Sequence, residues 1–547
     1  MSTSFNKSEL TPNSKLAKKD LFFKNSSFYV SIVILILSLF YYLSYASYGF
    51  SDSDWGAIVD GAERFLQGDV FYKDFNIGYT PGIYLYTALA FKIFGVKLWS
   101  ATVAWSIIRA FNCLLIYLLG TKILSRKVAF FLPLILLLIP GPLHKGFLIF
   151  FGLLHLLIFL KLLSTDNKGF YLFSGIVAGI SLIFRIDLFV SFVITLLLVE
   201  VLKSINPVPK ITRKSQFLRS LKNFSFFSGG VIFALVPFAL YLLSNSAVSD
   251  AINQNLFFLG AAKSRMFLLP PIKQMFSWGR WDFINYVVVL IPLGIGFVFL
   301  ALIFSNIRTK QFGWEDKKLL ILFLYGLLFL HQILRWPWIG RLYQILPPFL
   351  IIDIYLISKY FFNHGKRRFN KFRLIYPATL TVTNFALLTL IIGSLTMSDM
   401  DTNNSIFIRR TNTALLSTPK ATVFTTPEQA EKVRKIINII ETETEKDEYI
   451  YIVQYHSMYY FLTERKNATR YYFIEAYVFS DEKQLEVVRN LEDKKVNLII
   501  SAPNYPGTPE ATIVKEYINR HYHVKETIGD KIIYLKNDRQ GSVSKKI

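Results

Sequence analysis

Apolar runs recur along this chain at the length of a bilayer crossing. A helix needs about 20 mostly apolar residues to cross roughly 30 Å of hydrocarbon. Runs of that order lie near 28–49, 101–123, 128–141, 146–163, 170–184, 187–203, 224–244, 284–306, 319–334, 341–361 and 375–396. The pattern predicts a polytopic α-helical membrane protein of about eleven transmembrane helices, with 128–141 and 170–184 the shortest runs. The first run is too long, and begins too far along the chain, for a cleavable signal peptide.

Two shorter periodic segments follow the first run. Residues 54–67 have amphipathic helical spacing and stop at Gly68, where a left-handed C-cap fits. Thr80-Pro81-Gly82 opens an aromatic-rich helix, 83–94, closed by Gly95, and Phe71-Tyr72-Lys73-Asp74-Phe75 connects the two. Neither is long and apolar enough to span, so both read as interfacial helices. Beyond residue 396, helical segments (427–440, 481–494, 509–521) alternate with strand-like runs (449–454, 496–501, 531–536). The organisation expected is a cytoplasmic segment 1–27, a transmembrane domain 28–396 and a small soluble α/β domain 397–547, its end from Ser542 frayed.

Composition agrees with the pattern. Hydrophobic residues make up 53% of the 547 and charged residues 18%. That excludes an ordinary soluble globule and a disordered chain. Lys and Arg outnumber Asp and Glu by 61 to 37, but the excess sits among the apolar runs, while 397–547 is nearly balanced. The charge therefore speaks of membrane topology and not of a nucleic-acid partner. Alternate loops are basic, as at Lys18-Lys19, Arg126-Lys127, Arg213-Lys214, Arg308 with Lys310, and Lys366-Arg367-Arg368. The positive-inside rule makes these cytoplasmic, together with the N-terminus; loops 50–100 and 245–283 and the C-terminal domain then lie outside. The lone Cys113 excludes an intramolecular disulfide and a cysteine metal site.

The chemistry concentrates after the first run. Asp52 and Asp54 stand at the start of the 54–67 helix, where a carboxylate also serves simply as a cap. Arg109 lies inside a span, a position by default functional or paired. Arg185 precedes Asp187 by two residues, so the two are free to pair with each other. Arg335 and Arg341 flank Trp336 and Trp338, an arrangement that also suits interfacial anchoring. His144 and Lys145, in a short loop, read as the end of a helix.

The order of these elements resembles the first outer loop of the GT-C membrane glycosyltransferases. The nearest branch holds protein O-mannosyltransferases, the aminoarabinose transferase of lipid A and the galacturonosyltransferases of rhizobial lipid A. The resemblance rests on Asp54, Gly68, Tyr72 with Asp74, Pro81, Phe94-Gly95 and Arg109. More loosely it extends to Arg185-x-Asp187, to Arg335 and Arg341-Leu-Tyr-Gln-Ile-Leu-Pro-Pro, and to His456–Tyr472. Two features depart from the branch. Tyr79-Thr80-Pro81 stands where aminoarabinose transferases carry Lys-Pro-Pro, and Ser53 separates two acidic residues that are adjacent in protein mannosyltransferases.

The resemblance implies transfer of a sugar from a polyprenyl-phosphate donor to a lipid, glycan or protein acceptor, by inverting displacement at the outer face of a bacterial inner membrane. Asp54 is the first candidate for the base and Asp52 the second, with desolvation expected to raise the carboxyl towards useful basicity. Lys73, Arg185, Arg335, Arg341 and Arg109 are the candidates for the donor phosphate. Asp74, Tyr72, Tyr79 and Asp187 are candidates for substrate binding. No cluster has metal-ligand spacing, although Asp52 with Asp54 is compatible with a weakly held divalent cation. The C-terminal domain has no motif of its own and is expected to shape the acceptor side without doing chemistry. A transporter or lipid flippase and a polysaccharide polymerase are the competing classes; the first calls for inverted repeats, which are not evident.

Overall fold

Each apolar run falls largely on helix in the computed structural model, which describes residues 12–78, 80–205, 213–264, 280–335, 338–362, 375–400, 402–454, 456–472, 480–502 and 511–537. In order come α1 (Pro12–Leu43), α2 (Asp54–Leu66), α3 (Gly82–Phe94), α4 (Leu98–Gly120), α5 (Arg126–Ala129), α6 (Phe131–Leu138), α7 (Gly146–Leu162), α8 (Lys168–Phe184), α9 (Ile186–Ser204), α10 (Arg213–Ser244) and α11 (Val248–Ser264). The helices Arg280–Arg308, Trp314–Phe329, His331–Arg335, Ile339–Ile357 and Ile375–Ser394 complete this part. Among the described residues, seven helical stretches are long and apolar enough to cross a membrane: 98–120, 143–162, 218–244, 286–308, 314–334, 339–360 and 375–394. Phe28–Leu43 and Lys168–Phe184 are apolar but shorter. The chain is thus a multi-pass membrane protein.

The run at 128–141 is not one helix. It breaks at Phe130 between α5 and α6. Pro133 has no N–H to donate to the Ala129 carbonyl four residues back, and that is where α5 ends. Elsewhere helices meet through small residues. A Cβ on Gly175 of α8 would lie 2.0 Å from the Phe227 carbonyl oxygen, and one on Gly230 of α10 would lie 2.1 Å from that of Leu172. Glycine on both faces lets the two backbones touch, the usual means of close helix association in lipid.

After Ser394 the chain turns to strands. β1 (Ala414–Ser417) and β2 (Thr422–Thr425) form a hairpin, and β2 reaches back to the loop after α1, where Gly49 N donates to Phe424 O at 2.8 Å. β3 (Tyr449–Ile452), β4 (Lys466–Asn467), β5 (Leu498–Ser501), β6 (Tyr522–Ile528) and β7 (Lys531–Lys536) make a five-stranded mixed sheet in the order β4-β3-β5-β7-β6. β3 runs parallel to β4 and β5, while β7 is antiparallel to β5 and β6. Side chains alternate across the pleat. Tyr451 and Ile499 pack with Val487, Leu491, Val514 and Ile518 from the Asp481–Asp493 and Thr512–His521 helices. Ile450, Ile452 and Ile500 face the other way, towards Ile436 and Ile440 of the Pro427–Glu443 helix.

The 51–95 segment joins the two parts. Gly68, just past α2, has φ +105°, and a Cβ there would meet nothing within 4 Å. Backbone conformation, not space, requires glycine at that helix end. Over its first two turns α2 is covered on every side: Trp55 to Ala62 are all buried. Its neighbours are α3 and the Met458–Thr463 helix of the C-terminal part.

Candidate active site

Asp54 is the first residue of α2, and its carboxylate reaches two partners from another segment. The residue before it, Ser53, caps nothing with its side chain. Asp54 Oδ2 lies 2.9 Å from Lys145 Nζ and 3.1 Å from His144 Nε2. Both partners come from the short turn that leads into α7. The signal for them was the Pro140-Gly141-Pro142 break between two apolar runs, which marks a loop and places a His-Lys pair on it. Reading the pair as a helix end missed their contact with Asp54.

Electrostatics at this carboxylate run opposite to the expected rise. Burial pushes the Asp54 carboxyl up, but the Lys145 charge and the His144 hydrogen bond more than reverse this and hold it well below the usual carboxylate range. At neutral pH the carboxylate is therefore ionised, and the ring of His144 stands edge-on to Trp105.

Asp52 faces a different set. Its Oδ1 lies 3.2 Å from His456 Nδ1, and its Oδ2 3.8 Å from Lys531 Nζ. Lys531 Nζ also lies 3.0 Å from His456 Nε2. Burial raises the Asp52 carboxyl and the His456 and Lys531 contacts lower it, for a net downward shift. The C-terminal part thus contributes side chains to this loop, beyond the shaping role expected of it. The two carboxylates thus have separate basic partners, His144 and Lys145 for Asp54 and His456 and Lys531 for Asp52. Among the described residues, no group of three His, Cys, Asp or Glu is placed to hold a metal ion.

The later cations form a third cluster. Arg185, between α8 and α9, pairs with Asp187 through Nε at 2.9 Å and through Nη2. Asp187 Oδ2 also accepts from Gln332 Nε2 at 2.8 Å and lies 3.5 Å from His331 Nε2. Arg341 Nη1 donates to the Gln332 carbonyl at 3.1 Å. Phe184, next to Arg185, packs on Phe147 of α7 and against Gly82 at the head of α3, which sets this cluster beside the Asp54 site. Arg335 ends the His331–Arg335 helix; its side chain lies outside the described residues.

Arg109 is fully buried, and its guanidinium is used internally. Nη2 donates to the Gly141 and Pro142 carbonyls at 2.5 and 2.7 Å, and the group stacks 3.6 Å from the centre of the Tyr343 ring. Nη2 thereby holds the turn that carries His144 and Lys145, while Nε and Nη1 are buried without a hydrogen-bond partner among the described residues. In the connector, Lys73 reaches the Asn245 carbonyl at 3.1 Å and Asp74 accepts from Val70 N at 2.7 Å. Tyr72 is buried with φ +70°. Asp74 thus closes the connector on itself, while Lys73 ties it to the end of α10. Tyr79 lies outside the described residues.

No protein-family model and no curated protein matches the chain. Solved structures do. ArnT from Cupriavidus metallidurans, bound to undecaprenyl phosphate, is 13% identical and aligns over 92% of this chain and 96% of its own, with a TM-score of 0.50. Its apo state gives 12% identity, 95% and 98% coverage and the same TM-score. The oligosaccharyltransferase AglB from Archaeoglobus fulgidus, in complex with an inhibitory peptide and a dolichol-phosphate, is 11% identical over 96% of this chain and 75% of its own, at a TM-score of 0.42. Both proteins are GT-C superfamily members. Over 92% of its length the chain shares the overall fold of ArnT.

Proposed function

We propose that this protein is an integral-membrane glycosyltransferase that moves a sugar from a polyprenyl-phosphate donor to a hydroxyl of a lipid, glycan or protein acceptor. The observation that carries the reading is the ionised Asp54, at a loop between helices, with a cation 2.9 Å away. Asp54 takes the proton of the acceptor hydroxyl as its oxygen attacks the anomeric carbon. The new C–O bond forms with inversion, and the bond from that carbon to the phosphate oxygen breaks to release polyprenyl phosphate. The leaving phosphate needs cations and no general acid. Lys145 is the nearest to Asp54, with Arg185 and Arg341 in the adjoining cluster and Arg335 at the same helix end.

Lys145 has a double use in this scheme. While it pairs with Asp54 it makes that carboxylate a poor base. When donor phosphate draws the ammonium away, the carboxyl rises and becomes a better proton acceptor. Asp52, held by His456 and Lys531, is the second candidate for base. The shared fold with a protein solved on undecaprenyl phosphate supports a lipid-phosphate donor. The basic loops support a site on the outer face of a bacterial inner membrane, with 1–27 cytoplasmic, 28–396 in the membrane and 397–547 outside.

Mass spectrometry of envelope glycolipids and glycoproteins, with and without the gene, identifies the sugar and its acceptor. The purified protein in nanodiscs is then expected to release polyprenyl phosphate from that donor, and Asp54→Asn is expected to be inactive. Unchanged glycans, or full turnover by Asp54→Asn, would overturn the proposal.

A further inference from the structure

A second concavity lies along α2, away from Asp54. It is a cleft of about 710 Å³ between α2 and the C-terminal α/β part. That is well inside the ~300–1,000 Å³ typical of small-molecule sites. Asp60, Glu63, Arg64 and Gln67 line it from one stripe of the helix. By helical geometry this stripe is turned roughly 130° from Asp54, and its centre is about 15 Å further along the axis. The cleft and the Asp54 site are separate places on one helix.

The lining is dense in hydrogen-bonding groups, and its charges come in pairs. Lys420 Nζ lies 2.6 Å from Glu63, Lys446 Nζ 2.7 Å from Glu464, and Arg470 Nε 3.1 Å from Glu486. Such a wall has little net sign. An anionic or a cationic ligand meets as many like charges as opposite ones. A neutral hydroxyl suits it, because one O–H can donate to a carboxylate while its oxygen accepts from a neighbouring ammonium or guanidinium. Gln67 and Asn490 add amides on opposite walls.

One cation of the lining is held firmly in place. Arg64 donates from Nε to Asp69 at 2.6 Å and from Nη2 to the Asp74 carbonyl at 3.0 Å. Its Nη1 is buried and has no hydrogen-bond partner among the described residues. The guanidinium is fixed in place by stacking 4.7 Å from the centre of the Phe75 ring.

We infer that this cleft is a binding site for a neutral oligosaccharide of two or three sugars. Its use as a hold on a glycan acceptor rests on the transferase reading; its affinity for sugar does not. The test uses the full chain in nanodiscs, without donor, and saturation-transfer NMR and calorimetry with neutral trisaccharides of glucose, galactose, mannose and N-acetylhexosamine. A sulfated trisaccharide and a neutral tripeptide are the comparison probes. Saturable binding of at least one neutral trisaccharide is expected, weakened at least tenfold by Gln67→Trp and by Asn490→Trp, which fill the cleft from opposite sides. Asp54→Asn is expected to bind the same sugar unchanged, so a failure of the transfer chemistry leaves this result standing. The inference is overturned if no neutral trisaccharide binds at up to about 10 mM, if the sulfated probe or the peptide binds more tightly, or if both tryptophan variants bind like the wild type.

Discussion

Gly56 runs against the backbone at Met458 so closely that a Cβ on the glycine would stand 2.2 Å from the Met458 nitrogen. That nitrogen donates to the Asp52 carbonyl at 3.2 Å, so the start of α2 and the start of the Met458–Thr463 helix are locked main chain to main chain. Gly56→Ala must push them apart, and overpacking of this kind costs about 1–3 kcal/mol. The expected result is a lower melting temperature and faster proteolysis near residues 394–405. A variant as stable and protease-resistant as the wild type would mean that the contact is loose.

Asp54→Asn should cut turnover at least ~10²-fold, the ordinary scale for losing a positioned base, while leaving donor KM within a few-fold. Lys145→Ala should behave differently. Without the ammonium, Asp54 loses the charge that holds it low, so the acid limb of the pH–rate profile moves to higher pH. Donor KM should rise as well. An acid limb that stays where it is in Lys145→Ala would separate Asp54 from the rate.

Asp60 titrates in the opposite sense. Burial lifts its carboxyl from 3.8 to about 6, against the lowering effect of the Arg64 charge and the bond from Tyr472. The folded state therefore holds a proton that the unfolded chain gives up. The resulting stability is fully present below pH 4, falls as pH rises from about 4 to 6, and is gone above that. Asp60→Asn, which stays neutral, should match the wild type at pH 4 and exceed it by up to about 3 kcal/mol at pH 8. Denaturation at the two pH values checks this; equal differences at both would refute it.

Topology can be read with single cysteines in a Cys113→Ser background. Ser480 and Ser215 are both exposed. Ser480→Cys should react with an impermeant thiol reagent in intact spheroplasts, and Ser215→Cys only after lysis. The reverse pattern would move the proposed site to the cytoplasmic face.

What the sequence made legible were features written in local periodicity. The two helices of the 51–95 segment, their closing glycines and the alternation after residue 426 all follow from spacing and backbone chemistry. The partners of Asp54 did not: the Pro140-Gly141-Pro142 break sets His144 on a loop, but spacing does not show what it meets 90 positions away. Arg109 illustrates the same limit. Its charge inside a span announced importance, but only the fold shows that it serves the Gly141–Pro142 turn. Downward displacement of the Asp54 carboxyl was hidden for the same reason, since Lys145 causes it.

The bond from Tyr472 to Asp60 joins residues 412 positions apart, and this sets an order on the making of the protein. During synthesis α2 emerges early, with Asp60 and the small residues around it needing cover, and the segment that covers them is among the last to be made. Closing so large a loop is slow and comes late. Until then the nascent chain carries an open, half-polar groove beside the membrane, and Asp52 waits there without His456 or Lys531. Completion of the site is thereby tied to completion of the chain, so that a protein cut short before its last strands is inserted but not armed.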